Sequence, residues 1–167
     1  MFGTVSEEKE VSVPASEAWK VYGSLQLADV VRQALPGLIH KIDLVQGDGG
    51  VGTVLELFFP PGAVGLTSYK EKFTVVDDEK RVKEAEVVEG GYLDLGFTMY
   101  RVRFEVIEKD GISNNQCITR ATIEYEVKDE AAANAAAIVS IKPLVNIMQA
   151  AADYLQKNYN SNSTSGI

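Results

Sequence analysis

Between Tyr69 and Glu89 the chain reads YKEKFTVVDDEKRVKEAEVVE, two apolar-alternating runs rich in Val, Phe and Tyr around an acidic turn at Asp77, Asp78 and Glu79. A period of two over this length predicts a β-hairpin. Successive side chains on a strand point to opposite faces, so each strand has an inner and an outer side. On the first strand Tyr69, Glu71, Phe73 and Val75 share one face, while Lys70, Lys72 and Thr74 share the other. Pairing Val76 with Lys80 across the turn sets Phe73 opposite Lys83. Lys83, Ala85 and Val87 then face inward, and Glu84 and Glu86 outward. The pattern that buries Phe73, Val75, Ala85 and Val87 therefore also turns Glu71 and Lys83 inward, about one residue pair apart.

Burying either charge is costly unless it is paired or lines a wet cavity. One reading is a structural ion pair near the sheet edge, or a register shifted by one residue. The other is a cavity holding a working acid–base pair. On an apolar wall the amine form of a lysine is favoured, so it can exchange protons near neutral pH or attack a carbonyl. A glutamate there is pushed up by desolvation and pulled down by the lysine, and the net direction does not follow from sequence.

The remaining segments supply a frame for this hairpin. A first strand is expected from about Phe2 to Val13, stopped by Pro14. Ser16 is a good N-cap for a short helix carrying Trp19 and Tyr22 on its core side, with Glu17 in the first turn. Gly23 breaks that helix, and a second runs from Leu25 to Leu35, before Pro36-Gly37. A strand from Leu38 to Val45 leads into Gly47-Asp48-Gly49-Gly50-Val51-Gly52. A phosphate-binding loop would open a helix, but this loop opens another strand, Thr53 to Phe59, so it reads as a flexible hairpin loop.

Glu89 to Gly96, EGGYLDLG, is a loop with apolar side chains, of the kind that covers a mouth or plugs a core. From Thr98 to Ile107, Tyr100, Val102, Phe104 and Val106 face one way. After a polar turn from Lys109 to Gln116, a last strand from Cys117 to Lys128 turns Ala121, Ile123, Tyr125 and Val127 inward. Cys117 reads as a small buried filler, since no base is visible near it. An Ala-rich helix follows to about Tyr159, with Ile138, Ile141, Leu144, Val145, Met148, Ala152 and Leu155 at helical spacing and Pro143 as an internal kink.

This order predicts an α+β domain over residues 1–159, with residues 160–167 a disordered tail. Its curved, seven-stranded antiparallel sheet wraps on a long C-terminal helix, with two short helices and an internal cavity between sheet and helix. Inward Tyr69, Phe73, Tyr100 and Phe104 would give that cavity aromatic walls.

Composition narrows the function classes. With 167 residues, 46% hydrophobic and 24% charged, one domain with a substantial core is expected. A formal net charge of -8 argues against binding to nucleic acid or an anionic membrane. One cysteine and one histidine exclude an internal disulfide and leave little from which to build a zinc site. The first residues, MFGTVSEEKE, carry no basic stretch followed by an apolar core, and no apolar run reaches ~18 residues. A cytoplasmic protein, monomeric or weakly dimeric, is the expectation.

The element order is similar to that of the birch-pollen-allergen, or pathogenesis-related class ten, family of plant proteins. Gly47-Asp48-Gly49-Gly50-Val51-Gly52-Thr53 resembles that family's glycine-rich loop. Tyr69-Lys70-Glu71-Lys72-Phe73 and Glu89-Gly90-Gly91-Tyr92-Leu93-Asp94-Leu95-Gly96 look most like the norcoclaurine synthases within it. The resemblance spans about Val5 to Leu155, and it implies a helix-grip fold gripping an internal cavity. It also implies a cofactor-free condensation of a small aromatic amine, dopamine, with an aldehyde such as 4-hydroxyphenylacetaldehyde. That reaction passes through an iminium and a Pictet–Spengler closure to (S)-norcoclaurine.

By the same resemblance Lys83 is the catalytic lysine, Glu71 the proton-transferring glutamate and Tyr69 the active-site tyrosine. Phe73, Tyr100, Val102, Phe104, Leu144 and Met148 are the expected substrate-binding wall. The family enzymes carry an aspartate where counting from EGGYLDLG reaches Val102, and Met99 stands where an aromatic residue is usual. Relatives with similar loops bind hormones without chemistry, so a carrier for an apolar plant metabolite (a cytokinin, flavonoid or alkaloid) is the alternative.

Overall fold

The computed structural model describes residues 1–62, 65–109 and 115–165. Seven strands, β1 (Phe2–Val11), β2 (Lys41–Gln46), β3 (Val54–Phe58), β4 (Ser68–Asp77), β5 (Val82–Gly90), β6 (Phe97–Glu108) and β7 (Cys117–Val127), form one sheet. Its order is β1-β7-β6-β5-β4-β3-β2, and every pairing is antiparallel. The hairpin connections of β2 to β7 follow from strands joined in sequence, while β1 closes the far edge by pairing with β7. Helices α1 (Ala15–Tyr22) and α2 (Gln26–Ala34) lie between β1 and β2, and α3 (Ala132–Ile138) and α4 (Lys142–Ser165) follow β7.

Pro14, not Ser16, starts α1. Its fixed φ of -59° suits a helix start, and its carbonyl accepts from the N–H groups of Glu17 and Ala18, with no side-chain cap. Ala15, Ala18, Trp19, Val21 and Tyr22 are buried, as an amphipathic helix laid on a sheet requires. The β4–β5 hairpin is wider than a tight pairing of Val76 with Lys80. Asp77 Oδ1 accepts from the N–H groups of both Glu79 and Lys80, Arg81 adopts a left-handed φ of 55°, and Val76 pairs with Lys83. A bulge between Phe73 and Val75 then sets Phe73 opposite Ala85, so Val76, rather than Val75, packs on the core. A second irregularity, between Lys70 and Glu71, sets Glu71 opposite Val87.

The C-terminal helix is two helices rather than one kinked rod. Val139 is extended (ψ 121°), and α3 and α4 meet at a bend of 40°. Pro143 falls in the first turn of α4, where a helix needs no proline N–H. The carbonyl of Ile141 accepts from Leu144 and Val145 instead. Helix α4 continues past Asn160, where the tail was expected to begin, to Ser165, since extending a formed helix costs far less than starting one. Much of the turn expected from Lys109 to Gln116, namely residues 110–114, and residues 166–167 of the tail lie outside the described residues.

Helix α4 buries Ile147, Met148, Ala151, Ala152 and Leu155 against α1, α2 and the sheet. Each large apolar side chain so buried contributes about 1.5–3 kcal/mol. Cys117 is fully buried, and burial pushes its thiol up to about 11, which fits a packing role. Among the described residues no single helix is long and apolar enough to cross a membrane.

Candidate active site

Helix α4 does not fill the concave face of the sheet. A cavity of about 120 Å³ remains between strands β2 to β7, helix α2 and the first turns of α4. Leu55 and Leu57 of β3 line it, with Leu27 and Val31 of α2 and Leu144 and Ile147 of α4. Among the described residues on its wall, Glu71 is the one carboxylate and Lys83 the one cation.

Lys83 faces inward because it alternates with Ala85 and Val87 on β5, and it is only 5% exposed. Its ammonium lies 4.8 Å from the centroid of the Phe73 ring and donates a long hydrogen bond, 3.5 Å, to the backbone carbonyl of Ser24. Burial lowers its pKa to about 8, partly countered by Glu71. Glu71 is pushed up to about 7 by burial, with Lys83 opposing. Desolvation thus outweighs attraction for both groups, as expected for Lys83 and in the direction that alternation alone left open for Glu71. The two side chains make no ion pair among the described residues. Lys83 stands two inward rows from Glu71 rather than one, because the wider turn and the bulge shift the register and put the Phe73–Ala85 row between them.

Tyr69 also lines the cavity, and burial holds its hydroxyl protonated, with the Glu71 carboxylate acting in the same sense. Its ring packs against Phe59 at 5.2 Å and Tyr92 at 6.1 Å. Lys83, Glu71 and Tyr69 are therefore brought together on one wall. Phe73, Tyr100, Val102, Phe104 and Leu144 are there too. Met148 is not: it is 1% exposed in the packed core, where its sulfur accepts from the Thr119 hydroxyl at 3.7 Å. Ile147, one position earlier, takes the wall instead, because the start of α4 at Lys142 turns the face of Ser140, Pro143, Leu144 and Ile147 toward the cavity.

Tyr92 and Ser24 are among the wall residues that went unassigned from sequence. Tyr92, in the 3-10 turn Gly91–Leu95, stacks on Tyr100 with centroids 3.7 Å apart and lines the cavity. The aromatic residue in an otherwise glycine-rich loop was the available signal. Ser24 contributes a backbone carbonyl, which no sequence pattern marks. Among the described residues no group of three or more His, Cys, Asp or Glu side chains is placed to hold a metal ion.

Comparison with known proteins agrees with this architecture. Norbelladine synthase of Narcissus pseudonarcissus is 44% identical over 161 residues, covering 96% of this chain and 96% of that protein. S-norcoclaurine synthase 2 of Papaver somniferum is 42% identical over 149 residues, 89% of this chain and 63% of the longer poppy protein. The structure of norcoclaurine synthase from Thalictrum flavum in complex with dopamine and hydroxybenzaldehyde superposes with a TM-score of 0.84 at 34% identity, covering 94% of this chain and 88% of that one. Residues 1–158 match the model of the Pathogenesis-related protein Bet v 1 family, and the chain belongs to that family.

Proposed function

We propose that the protein condenses a small aromatic amine with an aromatic or arylacetic aldehyde by acid–base catalysis, closing a Pictet–Spengler ring when the amine carries an activating phenol. The observation that carries this reading is the pair of desolvated, unpaired ionisable groups in one cavity, Glu71 near 7 and Lys83 near 8, each able to give or take a proton close to neutral pH. Similarity to a norbelladine synthase and to S-norcoclaurine synthases, and to a relative seen with dopamine and hydroxybenzaldehyde, supports the substrate class.

The amine nitrogen adds to the aldehyde carbon to give a carbinolamine. Glu71, protonated, donates to the carbinolamine hydroxyl; the C–O bond breaks, water leaves and an iminium forms. Lys83, as the neutral amine, takes a phenolic proton from the arylethylamine ring. The ring carbon para to that oxygen then attacks the iminium carbon. The Glu71 carboxylate removes the proton from that ring carbon and restores aromaticity. Tyr69, held neutral, donates a hydrogen bond that orients the substrate. The apolar walls exclude water, which would otherwise return the iminium to aldehyde and amine.

The test is to mix the protein with dopamine and 4-hydroxyphenylacetaldehyde and measure both rate and enantiomeric excess. Product enriched in one enantiomer, and lost in Lys83→Ala, is expected. Racemic product at the uncatalysed rate would overturn the reading. One observation favours a second reading, a carrier for an apolar metabolite: Val102 gives the wall no second carboxylate to hold an ammonium group. Tight binding of a cytokinin or flavonoid with no enantiomeric excess would select it.

A further inference from the structure

We infer that Asp78 is a positioning residue for Lys83, acting through Trp19 and the backbone carbonyl of Ser24. The inference rests on the reading of Lys83 as the working base. Trp19 Nε1 donates to Asp78 Oδ1 at 2.8 Å, tying α1 to the turn between β4 and β5. Within that turn Asp77 already accepts from two backbone N–H groups, Glu79 at 3.0 Å and Lys80 at 2.9 Å. Asp77 therefore shapes the turn, and Asp78, exposed beside it, holds the helix.

The latch continues along α1. The Trp19 carbonyl accepts from Gly23 N–H at 2.8 Å, and the indole covers Gly23 so closely that a Cβ there would lie 2.5 Å from the ring. The next residue, Ser24, is fixed by its own bonds: its hydroxyl donates to the Lys20 carbonyl at 2.7 Å and accepts from Gln26 N–H at 3.2 Å. Beyond it, Leu25 packs against Gly49 of the glycine-rich loop. The Ser24 carbonyl is thereby presented to Lys83 Nζ, on the strand that leaves the very turn carrying Asp78. The contacts close a ring: turn, helix, corner, strand and turn again.

The surroundings of Lys83 make that carbonyl matter. Strand β4 contributes the Phe73 ring and Glu71, the one charged group besides Lys83 itself among the described residues of the cavity wall. Strand β6 contributes Phe104, directly opposite Lys83, and α1 contributes Tyr22, whose ring lies 5.4 Å from that of Phe104. Helices α2 and α4 present apolar side chains to the cavity. Among the described residues the Ser24 oxygen is the neutral acceptor bonded to the ammonium, and withdrawing it favours the amine form.

The experiment is an NMR titration of protein carrying lysine labelled with carbon-13 at Cε, the Lys83 signal being assigned by its loss in Lys83→Met. In Asp78→Ala and Trp19→Phe the Lys83 midpoint is expected to fall by about half a pH unit or more. In Asp78→Asn, whose amide oxygen still accepts from the indole, it stays in place. In the unmodified protein the carbonyl carbon of Ser24 shifts with the Lys83 midpoint, a readout that needs no variant to fold. Unmoved midpoints in Asp78→Ala and Trp19→Phe with native amide spectra, or a Ser24 carbonyl indifferent to the titration, would overturn the inference. All of this is read on the protein without substrate. Failure to condense amine and aldehyde would leave the latch standing, and an indifferent Lys83 would leave the condensation untouched.

Discussion

The Lys83 ammonium lies 4.8 Å from the centroid of the Phe73 ring, and the row that carries this ring separates it from the row of Glu71. An ammonium over an aromatic face is held by about 0.5–2 kcal/mol, enough to orient it and too little to replace its lost hydration. Phe73 thus keeps the acid and the base of this cavity apart. Had they met in a direct ion pair, each would be fixed in its charged form. Apart, both remain available to a guest.

Turnover should depend on pH through both groups. Lys83 takes a proton as the free amine, so its deprotonation favours activity as pH rises toward about 8. Glu71 must start protonated to expel water from the carbinolamine, so its ionisation above about 7 lowers activity, and the profile is expected to be bell-shaped with its maximum between about 7 and 8. Lys83→Ala removes the rising limb and lowers kcat by at least ~10²-fold, with a native amide spectrum. A pH–rate profile of wild type and Lys83→Ala checks this, and retention of the rise in the variant would remove Lys83 from the mechanism.

Stability should be lowest, relative to a charge-free pair, between about pH 7 and 8. The Glu71 pKa is raised from 4.5 to about 7, so its cost is absent below 4.5 and complete above 7. The Lys83 pKa is lowered from 10.5 to about 8, so its cost is complete below 8 and fades as pH climbs to 10.5. Lys83→Met should therefore stabilise the fold at pH 7, by ~3 kcal/mol at most. Urea melts of wild type and of Glu71→Gln/Lys83→Met at pH 5, 7.5 and 10 give the comparison, which should be widest at 7.5.

Val102→Asp tests what the apolar wall does to amine binding. The aspartate would place a second carboxylate in the cavity, at a cost of about 1–3 kcal/mol in stability. Its charge should raise the pKa of Lys83 and lower the KM for a protonated amine severalfold. Steady-state kinetics with dopamine, at constant aldehyde, reads this directly. An unchanged KM would show that the ammonium binds elsewhere.

Gly91→Ala should impair the tyrosine end of the cavity. Gly91 has φ 55°, and an added Cβ would lie 2.8 Å from Tyr69 Cβ. Strain at the left-handed backbone and the clash with Tyr69 add, for an expected loss of about 1–3 kcal/mol. A thermal melt together with Tyr69→Phe as the functional comparison separates the effects: Tyr69→Phe should keep its melting temperature while losing about tenfold in kcat.

Much of this protein is legible in its residues because strand alternation is a local property. Placing Tyr69, Glu71 and Phe73 on one face of their strand and Lys83, Ala85 and Val87 on one face of theirs needs only the period of two, and the inward charges stand out against it. Pro143 shows the limit of local reading. Its ring forbids a mid-helix site but suits a first turn equally well, and the extended Val139 decides for the second. Met148 and Ile147 differ by one helical step, and which of them meets the cavity depends on where α4 begins.

Distance and access belong to the tertiary structure alone. The turn capped by Asp77 and the bulge beside Thr74 set how far Lys83 stands from Glu71, because a sheet's register sums every irregularity along it. The Ser24 carbonyl and the Trp19–Asp78 bond link residues nearly sixty positions apart, and only packing brings such groups together. Sequence determined which side chains face inward along each unbroken stretch of strand, since alternation is fixed by strand geometry, while the bulge exchanged Val75 for Val76. The folded chain decided which of them meet, since that depends on helices and loops closing around the same space.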